Sequence, residues 1–442
     1  MPLSTVALSR FGLGAGPAER AALRGDPKGW VTAQIGRPLP LPALRGYPAL
    51  AVEAAAARGE DKDNRAVRQL AREVYDAEVT ARVTEQLTST APFAERWAAF
   101  WSNHFAVSVL KAAPVLLTAG TFEREAIRPH VWGRFEELLL ATARHPSMLV
   151  YLDNAGSIGP SSRAGRRRER GLNENYAREL LELHTLGVDG GYTQADVLAL
   201  AKVLTGWSVF RPEADPVDEG DRAEPGFRFF PNRHEPGDKT LLGMVVRESG
   251  VEEGEVALRA LARHPSTARF LARKLLVAFG APTPPAAAID AVVRAWAGSG
   301  GDLAVVAAAV LDRPEVWRAE PTRLRTPVDL VIAGGRALGL ADPAPLVRSM
   351  RLLAQPVWSP PSPAGWPDDD ASWSGPDAIL ARVDWAETVG RRARPRGGAA
   401  LALLDETLGP WASERTRRAV TEATSGAAAL GLLFASPEFQ RR

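Results

Sequence analysis

The chain has no cysteine among its 442 residues, which together excludes disulfides, thiolate metal sites and a cysteine nucleophile. Any metal would have to be held by histidine, aspartate or glutamate, and there are only six histidines. Long apolar runs are missing too: the longest candidate, 303–311, is about half the length a bilayer span requires. The opening MPLSTVALSR lacks a basic start followed by a long apolar segment, so no secretory signal is visible and a cytoplasmic chain is expected. An excess of one charge is also lacking. Fifty-four Lys and Arg oppose 52 Asp and Glu, a formal +2, which implies no polycationic surface for nucleic acid. No nucleophile elbow, HExxH, phosphate loop or kinase signature occurs.

What is present is apolar mass and helical periodicity. With 45% hydrophobic residues and 12 tryptophans the chain can bury a large core. The pattern predicts an all-α (mainly α) fold, a large multi-helix orthogonal bundle with at most a small β-hairpin near 226–246. One large helical domain over 1–442 is expected. The alternative is a motif-bearing lobe, 1–210, and a C-terminal helical lobe, 251–442, joined by an acidic loop and the hairpin over 211–250.

The stretch 171–207, GLNENYARELLELHTLGVDGGYTQADVLALAKVLTGW, reads as two helices joined by a glycine turn. At 100° per residue, Glu174, Asn175, Arg178, Glu179, Glu182 and Thr185 fall within roughly 140°, opposite an apolar arc that includes Leu180, Leu181 and His184. Glu182 and His184 point about 200° apart and cannot share a metal from one helix. Glu174, Arg178 and Glu182 at i, i+4, i+8 suit either a solvated ion-pair ladder or the polar wall of a cleft. Gly187 can end the first helix, and Thr193-x-x-Asp196 resembles a capping box for the second.

Other candidates lie elsewhere. Trp97, Trp101, His104 and Phe105 recur at i, i+4, i+7, i+8, which places His104 in a packed core or on the floor of an aromatic pocket. His145-Pro-Ser and His264-Pro-Ser each precede a helix, as Arg128-Pro-His130 is also expected to do. The basic loop between Asn154 and Asn173 can draw Asp153-Asn154 toward Asn173-Glu174-Asn175. His234, Glu235 and Asp238 carry no diagnostic metal spacing, and the glycine-rich turn 11–16 has no preceding strand to make it a phosphate cradle. The segment 355–373 holds so many prolines and tryptophans that it predicts a stiff strap, either purely structural or a ring platform for a sugar or other planar ligand.

The motifs FWSNHF at 100–105, HPSMLVYLDN at 145–154, GLNENYARELLELHTLG at 171–187, LTGW at 204–207, HPSTARFLARK at 264–274, QPVW at 355–358, GWP at 365–367 and SPEFQ at 436–440 together resemble the bacterial domain-of-unknown-function 1800 family. The resemblance implies a largely helical protein without a settled activity, frequently exported and encoded beside a sulfatase-like protein, so a periplasmic location and such a partner stand as alternatives. The residues point to an acid-base enzyme for a polar, glycan-like or sulfated substrate, with Glu174, Glu179, Glu182, His104 and Asp153 as catalytic candidates. Asn103, Asn154, Asn173, Asn175, Arg178, Trp358 and Trp366 are candidates for holding substrate. The alternatives are a non-catalytic scaffold and a carboxylate-histidine metal or haem protein built on His104 with Glu179 or Glu182. No cofactor is assigned, and a divalent metal is left open.

Overall fold

The computed structural model describes residues 3–442 except 24, 43, 61–63, 168–170, 210–221, 225, 322 and 394–398. Most of the acidic loop, part of the basic loop and most of the 390–398 linker lie outside the described residues. The chain is mainly α, with 21 α-helices and two small antiparallel sheets among the described residues.

Proline sets many of the helix starts. It occupies the first turn of Pro17–Ala22, Pro27–Thr32, Pro92–His104, Ala113–Thr121, Pro146–Tyr151, Pro265–Ala278 and Pro327–Ala337, where its missing N–H has no partner to lose. The two HPS motifs use the same cap. Nδ1 of His145 accepts from the N–H of Ser147, and Nδ1 of His264 from Ser266, each at 3.2 Å. The Arg128-Pro-His130 expectation fails: that proline terminates the preceding Phe122–Ile127 segment, and the next helix, Phe135–Arg144, starts after a run of turns.

One buried cluster runs from Val6 to Phe439. Trp97, Trp101 and Phe105 are fully buried on the expected stripe, and Trp97 stacks on Trp132 with centroids 5.7 Å apart. Among the described residues three segments wind as π-helix, a rare form found often at functional sites: Ala7–Phe11, Phe122–Ile127 and Leu180–Thr185. Each carries an ionisable side chain into the interior: Arg10, Glu123 and His184 respectively.

The β structure spans 207–246 and includes a hairpin inside the stretch expected to hold one. Strands β1 (Trp207–Val209), β2 (Arg222–Glu224) and β3 (Phe227–Phe229) pair in the order β1-β3-β2, with Trp207 opposite Phe229. Strands β4 (Lys239–Leu241) and β5 (Met244–Val246) form their own hairpin across Leu242-Gly243, both at positive φ as a tight two-residue turn requires. The intervening turn is held by a buried ion cluster instead of by strand pairing. Nε2 of His234 and Nζ of Lys239 meet the Glu253 carboxylate at 2.8 and 2.7 Å. His234 therefore serves the fold, and Glu235 and Asp238 do not join it as metal ligands.

Candidate functional site

The Pro92–His104 helix has two working faces. Trp97, Trp101 and His104 enter the core, while Arg96, Phe100 and Asn103 recur at i, i+4, i+7 on the face that meets the strap. Asn103 clamps the strap through both halves of its amide: Nδ2 donates to Trp366 O at 3.0 Å, and Oδ1 accepts from Trp366 N–H at 2.7 Å. Gly365 is required for this approach. Its φ is +85°, and a Cβ there would overlap the Asn103 carbonyl oxygen. Gly365→Ala is expected to loosen the strap and cost about 1–3 kcal/mol, read from the urea midpoint, while alanine at the open Gly298 changes little. Equal behaviour of the two variants would show that the strap does not depend on this clamp.

Trp358 anchors the other end. Its indole N–H donates to Glu123 Oε2 at 3.0 Å, its ring takes Arg82 at 5.7 Å, and its edge meets Tyr75. Glu123 is a hub. Arg82 and Arg128 bond to it at 2.9 and 3.1 Å, and Ser102 donates at 2.7 Å. Burial alone would raise this carboxyl, but the two guanidiniums and the bonds from Ser102 and Trp358 hold it at about 2.

Between helix and strap lies a cleft of about 150 Å³, roughly ten times what one ordered water needs. Phe100, Trp366 and Pro360 form its apolar side. Its polar side holds Arg96, Arg442, Asp329 and Gln86. Asp329 Oδ1 accepts from Arg96 Nη1 at 2.9 Å and Oδ2 lies 2.9 Å from Arg442 Nε, so despite burial its carboxyl is driven far down. Positive charge is in surplus around it. Among the described residues Arg96, Arg323, Arg325, Arg382, Arg441 and Arg442 gather around the carboxylates of Asp329, Asp368 and Asp370. Burial brings Arg96 down to about 10 and Arg325 to about 9, still cationic at neutral pH. Arg96 Nη2, a donor, and Gln86 Oε1, an acceptor, are buried in this wall without a hydrogen-bond partner among the described residues.

Three of the sequence-predicted residues, Asn103, Trp358 and Trp366, line this cleft. Trp358 is committed to Glu123, which leaves Trp366 as the half-buried ring. The others gather elsewhere. The loop ends do meet, since Asn173 Nδ2 donates to Asp153 O at 3.2 Å and Asn175 Nδ2 to Leu152 O at 3.4 Å. The Asp153 carboxylate pairs outward with Lys111 at 2.7 Å. Asn154 is fully buried and donates to the carbonyls of Leu204 and Trp207, a fold role.

Glu174, Arg178 and Gln194 form a half-exposed triangle, with Gln194 Nε2 on Glu174 at 2.7 Å and Arg178 Nη2 on both Glu174 and Gln194 at 3.1 Å. Glu182 accepts from the Tyr192 hydroxyl at 3.4 Å. Burial, then the neighbouring Glu182 charge, raises the Glu179 carboxyl, with Arg178 opposing. Burial and Glu179 together push the Tyr151 hydroxyl up to about 12. Neither the strap cleft nor a second, apolar cavity of about 440 Å³ beside Tyr47 and Val209 touches Glu174, Glu179 or Glu182. The capping box at Thr193 and Asp196 forms as expected, and Gly187 takes φ +84°. The first of the two expected helices changes winding midway: it is α over Asn175–Glu179, then π over Leu180–Thr185, where Thr185 Oγ1 donates to the Leu180 carbonyl at 2.6 Å.

His104 and His184 meet on the buried side. Nε2 of His104 lies 3.1 Å from the His184 carbonyl, and Nδ1 receives the Lys274 ammonium at 3.2 Å. Among the described residues no three His, Asp or Glu side chains converge to hold a metal ion, and His104 makes no such set with Glu179 or Glu182. Sequence reasoning missed Arg96, Gln86, Asp329, Arg442 and Lys274. The signal for Arg96 was available in its helical register with Phe100 and Asn103.

No helix among the described residues is long and apolar enough to cross a membrane. No curated protein and no solved structure matches the chain. A family profile described as "Protein of unknown function (DUF1800)" matches residues 6–441, and the chain belongs to that family.

Proposed function

We propose that the chain binds a polar ligand bearing an anionic group, of the glycan-like or sulfated kind, in the cleft beneath the tryptophan strap. The observation that carries this reading is the buried, unpartnered Nη2 of Arg96, set in a wall where guanidiniums outnumber carboxylates. An unmet buried donor costs on the order of 1–3 kcal/mol, and an incoming oxyanion would relieve both that and the charge surplus. Gln86 Oε1 offers an acceptor for a hydroxyl, and Trp366 offers an apolar face for a ring.

Thermal-shift and calorimetric titration with inorganic sulfate, glucuronate and neutral glucose tests this. The two anions are expected to raise the melting point and glucose is not. Arg96→Gln should weaken the anions by about tenfold or more, the loss of one charge-assisted bond. Trp366→Ala should weaken glucuronate and leave sulfate unchanged. No shift with either anion, or binding that survives Arg96→Gln, overturns the reading.

Acid-base chemistry on such a ligand is a second reading, favoured by the raised Glu179 carboxyl beside Glu182. It requires substrate at that half-exposed face as well, so Glu179→Gln should abolish turnover with no effect on sulfate binding. A pure scaffold for a sulfatase-like partner makes the opposite forecast for the titration, since no small anion would then stabilise the chain.

A further inference from the structure

Only six of the chain's 54 basic residues are lysines, and two of them are drawn inward. Lys239 is compensated by the Glu253 carboxylate at 2.7 Å. Lys274, on the Pro265–Ala278 helix, is not: no carboxylate pairs with its ammonium among the described residues. Its neighbours are the face of Phe270, 5.5 Å from Nζ, and Nδ1 of His104 at 3.2 Å. The tautomer of His104 follows from geometry. Nε2 faces a carbonyl oxygen, which can only accept, so the ring proton sits there and Nδ1 presents its lone pair to Lys274. The imidazole is buried and flanked by His184, so it stays neutral and supplies no counter-charge.

We propose that Lys274 is a reactive amine one helical turn from the strap cleft, able to condense with the carbonyl group of an aldehyde or ketone. The amine nitrogen adds to the carbonyl carbon, the oxygen takes up one N–H proton to give the carbinolamine and then the second, and it leaves as water as the C=N bond forms, so no oxidant or reductant is needed. His104 Nδ1 orients the amine by accepting one of its N–H groups. Phe270 and the imidazoles provide apolar, uncharged surroundings in which the ammonium gives up its proton more readily than an exposed lysine does. Asp368 is the carboxylate acting on Lys274 from a distance, and burial outweighs it. Asp368 and Ala278, the latter one turn along the same helix from Lys274, both line the cleft, which brings the helix that carries the amine against the volume where a ligand would sit. Arginine could not substitute here, because a guanidinium does not give up its proton.

The placement beside the cleft rests on the anion-binding reading, and the reactivity does not, so one experiment separates them. The intact protein is incubated at pH 7 with pyridoxal or pyridoxal phosphate, reduced with borohydride and mapped by peptide mass. Lys274 is expected to be labelled at least about tenfold faster than exposed Lys111 by both aldehydes. His104→Phe should slow it and leave Lys111 unchanged. Faster labelling by the phosphate form that Arg96→Gln abolishes supports both readings. Preferential labelling that is equal for the two aldehydes keeps the reactive lysine and counts against the anion site. Labelling of Lys274 no faster than Lys111 overturns the inference.

Discussion

Replacing Glu123 by alanine is expected to destabilise the protein by about 3–5 kcal/mol, because it strands two guanidiniums that the fold has already taken out of water. Arg82 and Arg128 both rely on this carboxylate, although Arg128 keeps Glu95 at 2.7 Å. The same carboxylate ties Ser102 and the Trp358 indole to the helix core, so its loss should also free the strap. Linkage gives an independent size. A carboxyl brought from 4.5 to about 2 on folding contributes about 3 kcal/mol. Since the folded value is depressed, that stability is present above pH 4.5 and lost as pH falls toward 2. Urea unfolding of Glu123→Ala and Glu123→Gln at pH 7 checks it. Gln keeps the shape and part of the hydrogen bonding, so it should retain a share of the loss that Ala incurs. A change under about 1 kcal/mol in both would mean the two arginines find other partners, and the hub has no energetic standing.

How much of this could be read beforehand follows the range of the interactions. Helix starts are local, and Pro at the first turn, the HPS caps and the Thr193-Asp196 box were all legible in a few consecutive residues. The strap was legible for the same reason: its prolines forbid helix wherever the rest of the chain goes. The hairpin near 226–246 was legible, but the pairing of β3 with Trp207 across some 20 residues was not, nor was the fixing of the turn after it by Glu253. The cleft was least legible. Arg96 meets Asp329 across 233 positions, and the sequence states neither partner. A wheel at 100° per residue also assumes an α-helix, and the π turn at Leu180–Thr185 breaks that assumption inside the most informative stretch. The wheel still placed His184 away from Glu182, since two residues span close to half a turn in either winding.

The buried imidazoles lead to the second large effect, a loss of stability on mild acidification well above the range where carboxylates protonate. His184 is held neutral to about 3 by burial first and by the Lys274 charge second, and His104 is lowered in the same direction by the same two causes with His184 adding to them. Unfolded, each takes a proton near 6.5, so between 6.5 and the folded value the unfolded chain binds the proton that the folded chain refuses. Stability is therefore greatest above 6.5 and falls as pH drops, by about 1.4 kcal/mol per pH unit for each histidine. From pH 7.5 to 5 His184 should cost about 2 kcal/mol and His104 adds in the same direction, while Glu123 contributes nothing until pH nears 4.5. His145, buried and lowered likewise, adds in the same sense despite Glu125 at 3.8 Å. His104→Gln can keep an amide donor on the His184 carbonyl while removing one titration, so it should flatten the slope by about one proton even if it is less stable at pH 7.5. Urea midpoints collected across this window decide the matter. An unchanged slope in the variant would show that His104 takes up its proton in the folded state, which would give Lys274 a cationic neighbour instead of a lone pair.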